Sequence, residues 1–187
     1  IAVLGAAMRA DTGVGELWLF GSFTVGLFAS GIVSPWVGHQ IDAHGGRRVL
    51  MAGVALLAAS GLALSAAVNY PMLLLAVALA GMGNSVFHPA DFSLLNKKVS
   101  PTRLGHAFSV HGLSGNLGWA LGATISGMAL AWAGWRGAEI AAALVALCCV
   151  AALQLARPLL DDDVKRVGAG DTAAGPTFGF LGAPVIW

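Results

Sequence analysis

Residues 17–68 read "LWLFGSFTVGLFASGIVSPWVGHQIDAHGGRRVLMAGVALLAASGLALSAAV", two apolar runs separated by a polar island at 38–50. The run before the island, 17–37, and the run after it, 49–68, each come close to the roughly 20 residues that a helix needs to cross a bilayer core. Neither has the strict alternation of a barrel strand, and an open strand in lipid would leave backbone groups without partners. The stretch therefore predicts an all-α, polytopic bundle of membrane helices.

The remainder of the chain agrees. Of its 187 residues 57% are hydrophobic and 10% charged, and the mean hydropathy is +0.79. That leaves too little polar surface to cover a water-soluble core. Three more apolar segments, 71–95, 104–132 and 137–156, bring the expected spans to five, and the 26 glycines favour close helix contacts in lipid. Cys148 and Cys149 stand side by side in an apolar run and read as packing residues. Trp18, Trp36, Trp132 and Trp135 fall near span boundaries, as aromatic belts do. Residues 1–8 are apolar but too short to span and read as the tail of a preceding helix, closed by the polar turn Arg9-Ala10-Asp11. Residues 178–187 read as the start of a further one, so the chain is read as part of a larger polytopic protein.

Charge placement sets the expected orientation. With the island in the cytoplasm, Arg47, Arg48, Lys97, Lys98, Arg103, Arg157, Lys165 and Arg166 share that side, against Arg9 and Arg136 outside. The same sparse charge excludes nucleic acid as a partner, because the basic residues near the C-terminus face the acidic triplet Asp161 to Asp163.

Within the island, Gly38, Asp42, Gly45, Arg47 and Leu50 follow the spacing G-x-x-x-D-x-x-G-x-[RK]-x-x-L. This resembles the signature loop between the second and third helices of the major facilitator superfamily, with Gln40 and Gly46 departing from its usual form. The resemblance implies that the five spans are helices two to six of a twelve-helix transporter. Asp42 and Arg47, with Arg48, would then form a latch holding the two halves closed on the cytoplasmic side. It also implies a division into 1–156, an N-terminal helical half incomplete at its start, 157–177, a cytoplasmic linker between halves, and 178–187, the start of the next helix. The implied partners are a small-molecule substrate, protons, the lipid bilayer and a second, C-terminal half. Gly45 and Gly46 are expected to take positive backbone dihedrals in a tight turn, and Gly38 to let a helix end pack closely.

"GWALGATISG", 118–127, resembles the family's antiporter motif, with Ala123 in place of its proline and Ser126 in place of a glycine. Gly118 and Gly122, in line with His111 and Gly115, form a small-residue stripe that with Gly127 is expected to pack helices.

The fourth segment carries the strongest chemistry. In "GNSVFHPADFSLLN", Asn84, His88 and Asp91 are spaced four and three apart and share a helix face, and Pro89 is expected to loosen the local hydrogen bonding. Ionisable groups within a membrane helix face a cavity or a partner. Asp91, near the helix's C-terminal end, needs compensation from His88, Lys97, Arg103 or a bound proton. In the family the fourth helix lines the substrate cavity. That points to His88, Asp91 and His111 as proton-coupling residues and to Asn84 and Asn116 as substrate hydrogen-bonding residues. Read as metal ligands, His88, Asp91 and His111 match no known enzyme spacing, so no cofactor or metal is implied and the protein is read as no enzyme. Ser100 and Pro101 signal the start of the fifth helix, His106 close behind reads as interfacial, and Glu139 reads as stabilised by nearby Arg136.

"VFHPADFSLLN" and "HAFSVHGLSGNLGWALG" are similar to the fosmidomycin-resistance branch of the family, which implies proton-driven export of a small organic compound by alternating access. Uptake by proton symport, and a channel or assembly subunit, are the competing readings.

Overall fold

The computed structural model describes residues 4–160, all of whose regular elements are helices. The elements are α1 (Gly5–Thr12), α2 (Glu16–His44), α3 (Gly46–Ser65), α4 (Tyr70–Asn84), α5 (Phe87–Lys98), a 3-10 turn (Pro101–Arg103), α6 (Leu104–Leu155) and α7 (Arg157–Leu160). Four stretches are long and apolar enough to cross a membrane, Glu16–His44, Gly46–Ser65, Tyr70–Lys98 and Pro101–Leu155.

The last of these contains two expected spans. At about 1.5 Å rise per residue, a continuous helix of 52 residues would be about 78 Å long, more than twice a hydrocarbon core of about 30 Å. Gly134 resolves the excess: at φ 68°, ψ 179° it occupies a region open essentially only to glycine. The limb 104–133 ends there and the limb 135–155 runs back. Contacts along α3 fix its direction, since Glu139 lies at Gly61 and Gln154 at Arg47, making the limb antiparallel to α3 over its length.

α3 sits centrally, packed on α4 and on α6, while α2 packs mainly on α4. Glycines allow these crossings: a Cβ on Gly81 would strike the Gly26 carbonyl, one on Gly83 the Gly53 carbonyl, and one on Gly61 the Glu139 carbonyl. Two apolar clusters close the bundle at its ends. Leu19, Leu64, Leu73 and Val77 gather around Met8 and Trp135 at one end, and Val37, Ile41, Leu50, Val86 and Leu94 at the other. Large apolar side chains such as Phe28, Ile32, Leu113 and Trp132 stay exposed along α2 and the limb 104–133, as befits surfaces facing lipid or further protein.

Several expectations change. The polar turn expected at Arg9-Ala10-Asp11 is helical, and the chain turns instead at Gly13, with φ 68°. The island is mostly helix, because α2 continues to His44 and only Gly45 interrupts it. Gly45 has φ 87°, but Gly46 is helical and opens α3. The fourth span breaks between α4 and α5, since Pro89 has no N–H for the Ser85 carbonyl and its ring crowds that oxygen. The Ser100 hydroxyl meets Thr102 Oγ1 at 3.4 Å instead of capping a backbone N–H. Cys148 and Cys149 are exposed, not packed, because the face of α6 that meets α3 is formed by Ala138 and Ala143 instead. Trp135 is 5% exposed and takes no part in a belt, whereas Trp132 is 90% exposed. The expected linker beyond Leu160 and the helix start at 178–187 lie outside the described residues.

Candidate functional site

The break at Ser85 turns α5 so that Asp91 points toward the limb 104–133 of α6. There His111 Nε2 lies 3.7 Å from Asp91 Oδ2, tying the fourth span to the fifth. Among the described residues His111 makes the ion-pair contact with Asp91. His88 is exposed one turn back, its ring 5.8 Å from that of Phe92. Phe92 is in turn edge-on to Phe108 at 5.2 Å and to His111 at 6.3 Å. An imidazole and a carboxylate therefore meet beside an aromatic cluster, with a second imidazole on its far side. At 3.7 Å the two groups stand within ion-pair reach and just beyond direct hydrogen-bond distance.

Asn84 faces elsewhere. It lines a cavity of about 350 Å³ with Phe23, Ser30 and Trp119, while Asp91 lines a larger one of about 820 Å³ with Phe87 and Cys149. The two adjoin, sharing Leu57, Ser60, Ala80 and Glu139 as walls. Ser60 donates its hydroxyl to the Ala76 carbonyl at 2.9 Å, which leaves Glu139 as the charged group common to both. Asn116 is exposed and lines neither cavity.

Glu139 is read from the sequence as a structural partner of Arg136, three residues earlier, and not as a site residue. The structure assigns that arginine otherwise. Arg136 pairs with Asp11 and donates to the Ala67 carbonyl at 2.9 Å, its guanidinium 4.2 Å from the Trp135 ring centroid, while Trp135 Nε1 donates to Asp11 at 3.0 Å. These contacts join α1, the α3–α4 connection and the turn at Gly134 into one clasp. The available signal for Glu139 was its apolar following sequence, "IAAALVALCCV", which marks a carboxylate already inside a span.

At the opposite end the island is divided by burial. Arg47 is 6% exposed and donates to Gln154 Oε1 at 3.0 Å and toward Met51 Sδ at 3.1 Å. Asp42 and Arg48 are exposed. Arg47 thus anchors the start of α3 to the end of α6, and Gln154, unnoticed in the sequence, is its partner. A Cβ at Gly38 would meet nothing within 4 Å, so the close packing expected there is not made among the described residues. The same holds for Gly115, Gly118, Gly122 and Gly127: the limb that carries them has an open flank, and the close crossings fall at Gly26, Gly53, Gly61, Gly81 and Gly83 instead. Among the described residues no three His, Cys, Asp or Glu side chains are placed to hold a metal ion.

Comparison with known proteins gives a consistent picture. The family model described as Major Facilitator Superfamily matches residues 2–187. The 3-(3-hydroxy-phenyl)propionate transporter of Escherichia coli is 31% identical over 134 residues, 70% of this chain and 32% of that protein. The fosmidomycin resistance protein of Escherichia coli is 33% identical over 110 residues, 55% of this chain and 25% of the relative. An uncharacterized MFS-type transporter, YwoD, of Bacillus subtilis is 28% identical over 118 residues, 63% of this chain and 25% of the relative. The matched stretch is thus less than a third of each relative's length. No solved structure matches the chain.

Proposed function

This chain belongs to the Major Facilitator Superfamily, and from that premise we propose that it forms most of one half of a secondary transporter that exports a small organic compound in exchange for protons. The single observation that carries the coupling is the Asp91–His111 pair at 3.7 Å, which joins two spans and is partly open to its surroundings, the side chains being 22% and 35% exposed. A proton entering this pair alters the attraction between α5 and α6, and a group that biases the relative position of two spans can bias which side of the membrane is open. Glu139, common to both cavities, is the second carboxylate of the path. Asn84 supplies a hydrogen-bonding group to the substrate in the smaller cavity, beside Trp119. Asp42, Arg47 and Arg48 form the gate on the island. Arg47 keeps the island seated through Gln154, and the exposed Asp42 and Arg48 meet the other half. The likeness of this chain to a 3-(3-hydroxy-phenyl)propionate transporter and to a fosmidomycin resistance protein makes hydroxyphenylpropionate and fosmidomycin the first compounds to try.

The test uses the intact protein in vesicles holding a pH-sensitive dye, with a proton gradient imposed and each compound added in turn. A compound that dissipates the gradient in wild type but not in Asp91→Asn or His111→Gln supports exchange through the pair. Equal dissipation in all three removes the pair from the mechanism. Flux of compound and protons in the same direction overturns export in favour of symport, and flux that never saturates with concentration overturns a carrier in favour of a channel.

A further inference from the structure

Away from these cavities, a groove of about 490 Å³ lies between the end of α5 and the start of α6. Its wall is apolar, formed by Leu95, Val99, Ala107 and Val110, and Arg103 and His106 stand along it, with His111 at its inner end. We propose that this groove binds an anionic phospholipid, its acyl chain along the apolar wall and its phosphate at Arg103 and His106.

Three observations carry the assignment. The groove starts at the Pro101–Arg103 turn, where two membrane-spanning stretches reach the bilayer boundary together, so its long axis runs from headgroup depth toward the hydrocarbon. The guanidinium of Arg103 makes no hydrogen bond or ion pair among the described residues, and no carboxylate lines the groove. The acidic side chain closest along α5, Asp91, is already paired with His111. Lys97 and Lys98 lie in the last turn of α5 at the same end, each already engaged in an interaction of its own. A planar guanidinium at a membrane surface matches a phosphate in two-pronged geometry, and basic pockets between membrane helices are where anionic headgroups settle. An apolar wall continuing inward from that charge fits an amphiphile and does nothing for a free anion. The bilayer supplies such a molecule continuously.

The experiment follows thermal unfolding of the purified intact protein in detergent, by tryptophan fluorescence, with phosphatidylglycerol, phosphatidylcholine of the same chain lengths, glycerol phosphate or inorganic phosphate added. Phosphatidylglycerol is expected to raise the midpoint and the other three to leave it in place. Arg103→Gln should weaken the apparent phosphatidylglycerol affinity about fivefold, the equivalent of about 1 kcal/mol for one cation at a membrane surface, with its midpoint in detergent alone unchanged. Ala107→Phe, which fills the groove and keeps the charge, should weaken it too; should that variant fail to fold, lipid adducts counted by native mass spectrometry on wild type and Arg103→Gln decide the matter. Equal stabilisation by phosphatidylcholine, undiminished affinity in Arg103→Gln, or stabilisation by free phosphate would each overturn the assignment. None of these readouts depends on transport, so the result stands apart from the proposed exchange reaction.

Discussion

Replacing Gly83 by alanine adds one methyl group at the crossing of α3 and α4, where two glycines face each other. That methyl would sit 2.7 Å from the Gly53 carbonyl oxygen and 3.1 Å from Leu57 Cγ. Ordinary contact begins at 3.4 Å, so the helices must part by about 0.7 Å, the difference between the two distances. The neighbour is backbone, which cannot rotate away. In an unhindered helix the same substitution gains about 1 kcal/mol, whereas forcing a packed crossing apart costs about 1–3 kcal/mol. Gly112→Ala supplies the reference, because a Cβ there meets nothing within 4 Å. The propensity gain is common to both variants, so their unfolding free energies should differ by about 1–3 kcal/mol, with Gly83→Ala the less stable. Reversible unfolding in mixed micelles of increasing denaturing-detergent fraction, followed by tryptophan fluorescence, measures the difference. Equal stabilities, or a more stable Gly83→Ala, would refute the argument from close approach. Under the proposed role of Asn84, one residue further on in α4, the displaced crossing should also lower substrate affinity.

Two other perturbations separate anchor from surface. Arg47→Ala removes a charged hydrogen bond to Gln154 and is expected to cost about 1.5–3 kcal/mol, while Arg48→Ala, on an exposed side chain, should stay within about 0.5 kcal/mol; parallel unfolding curves check both. At the other end, Asp11 and Arg136 have side chains 47% and 38% exposed, so Asp11→Asn should lose only about 0.2–1 kcal/mol. Asp11→Ala also strands the indole N–H of Trp135 and should lose about 1–3 kcal/mol, a contrast that thermal midpoints of the two variants would show.

The membrane spans were legible in the sequence because a lipid-facing helix must be apolar over a fixed length, whatever it packs against. Five were expected, and each has a helical counterpart, including the two that share α6 through Gly134. Pro89 likewise announced the break between α4 and α5, since the missing N–H is a property of the residue itself. What remained hidden was pairing. His111 is twenty residues from Asp91, and neither position alone reveals that the turn at Pro101–Arg103 folds one against the other. Arg136 and Glu139 form a plausible local pair by spacing, yet Asp11, from the far end of the described chain, takes the arginine. The glycine stripe of the fifth span makes no close crossing among the described residues for a related reason. Small residues permit close approach without compelling it, and the crossings formed where a second glycine or a small wall stood opposite.

The single-residue connection at Gly45 has a mechanical consequence. A loop of several residues would act as slack, absorbing displacement at one helix before it reached the next. With α2 ending at His44 and α3 beginning at Gly46, there is no slack to take up. A push on exposed Asp42 therefore passes into α3 undamped, and the Arg47–Gln154 bond carries it to the end of α6. The island thus ties the ends of α2, α3 and α6 together through one residue and one hydrogen bond.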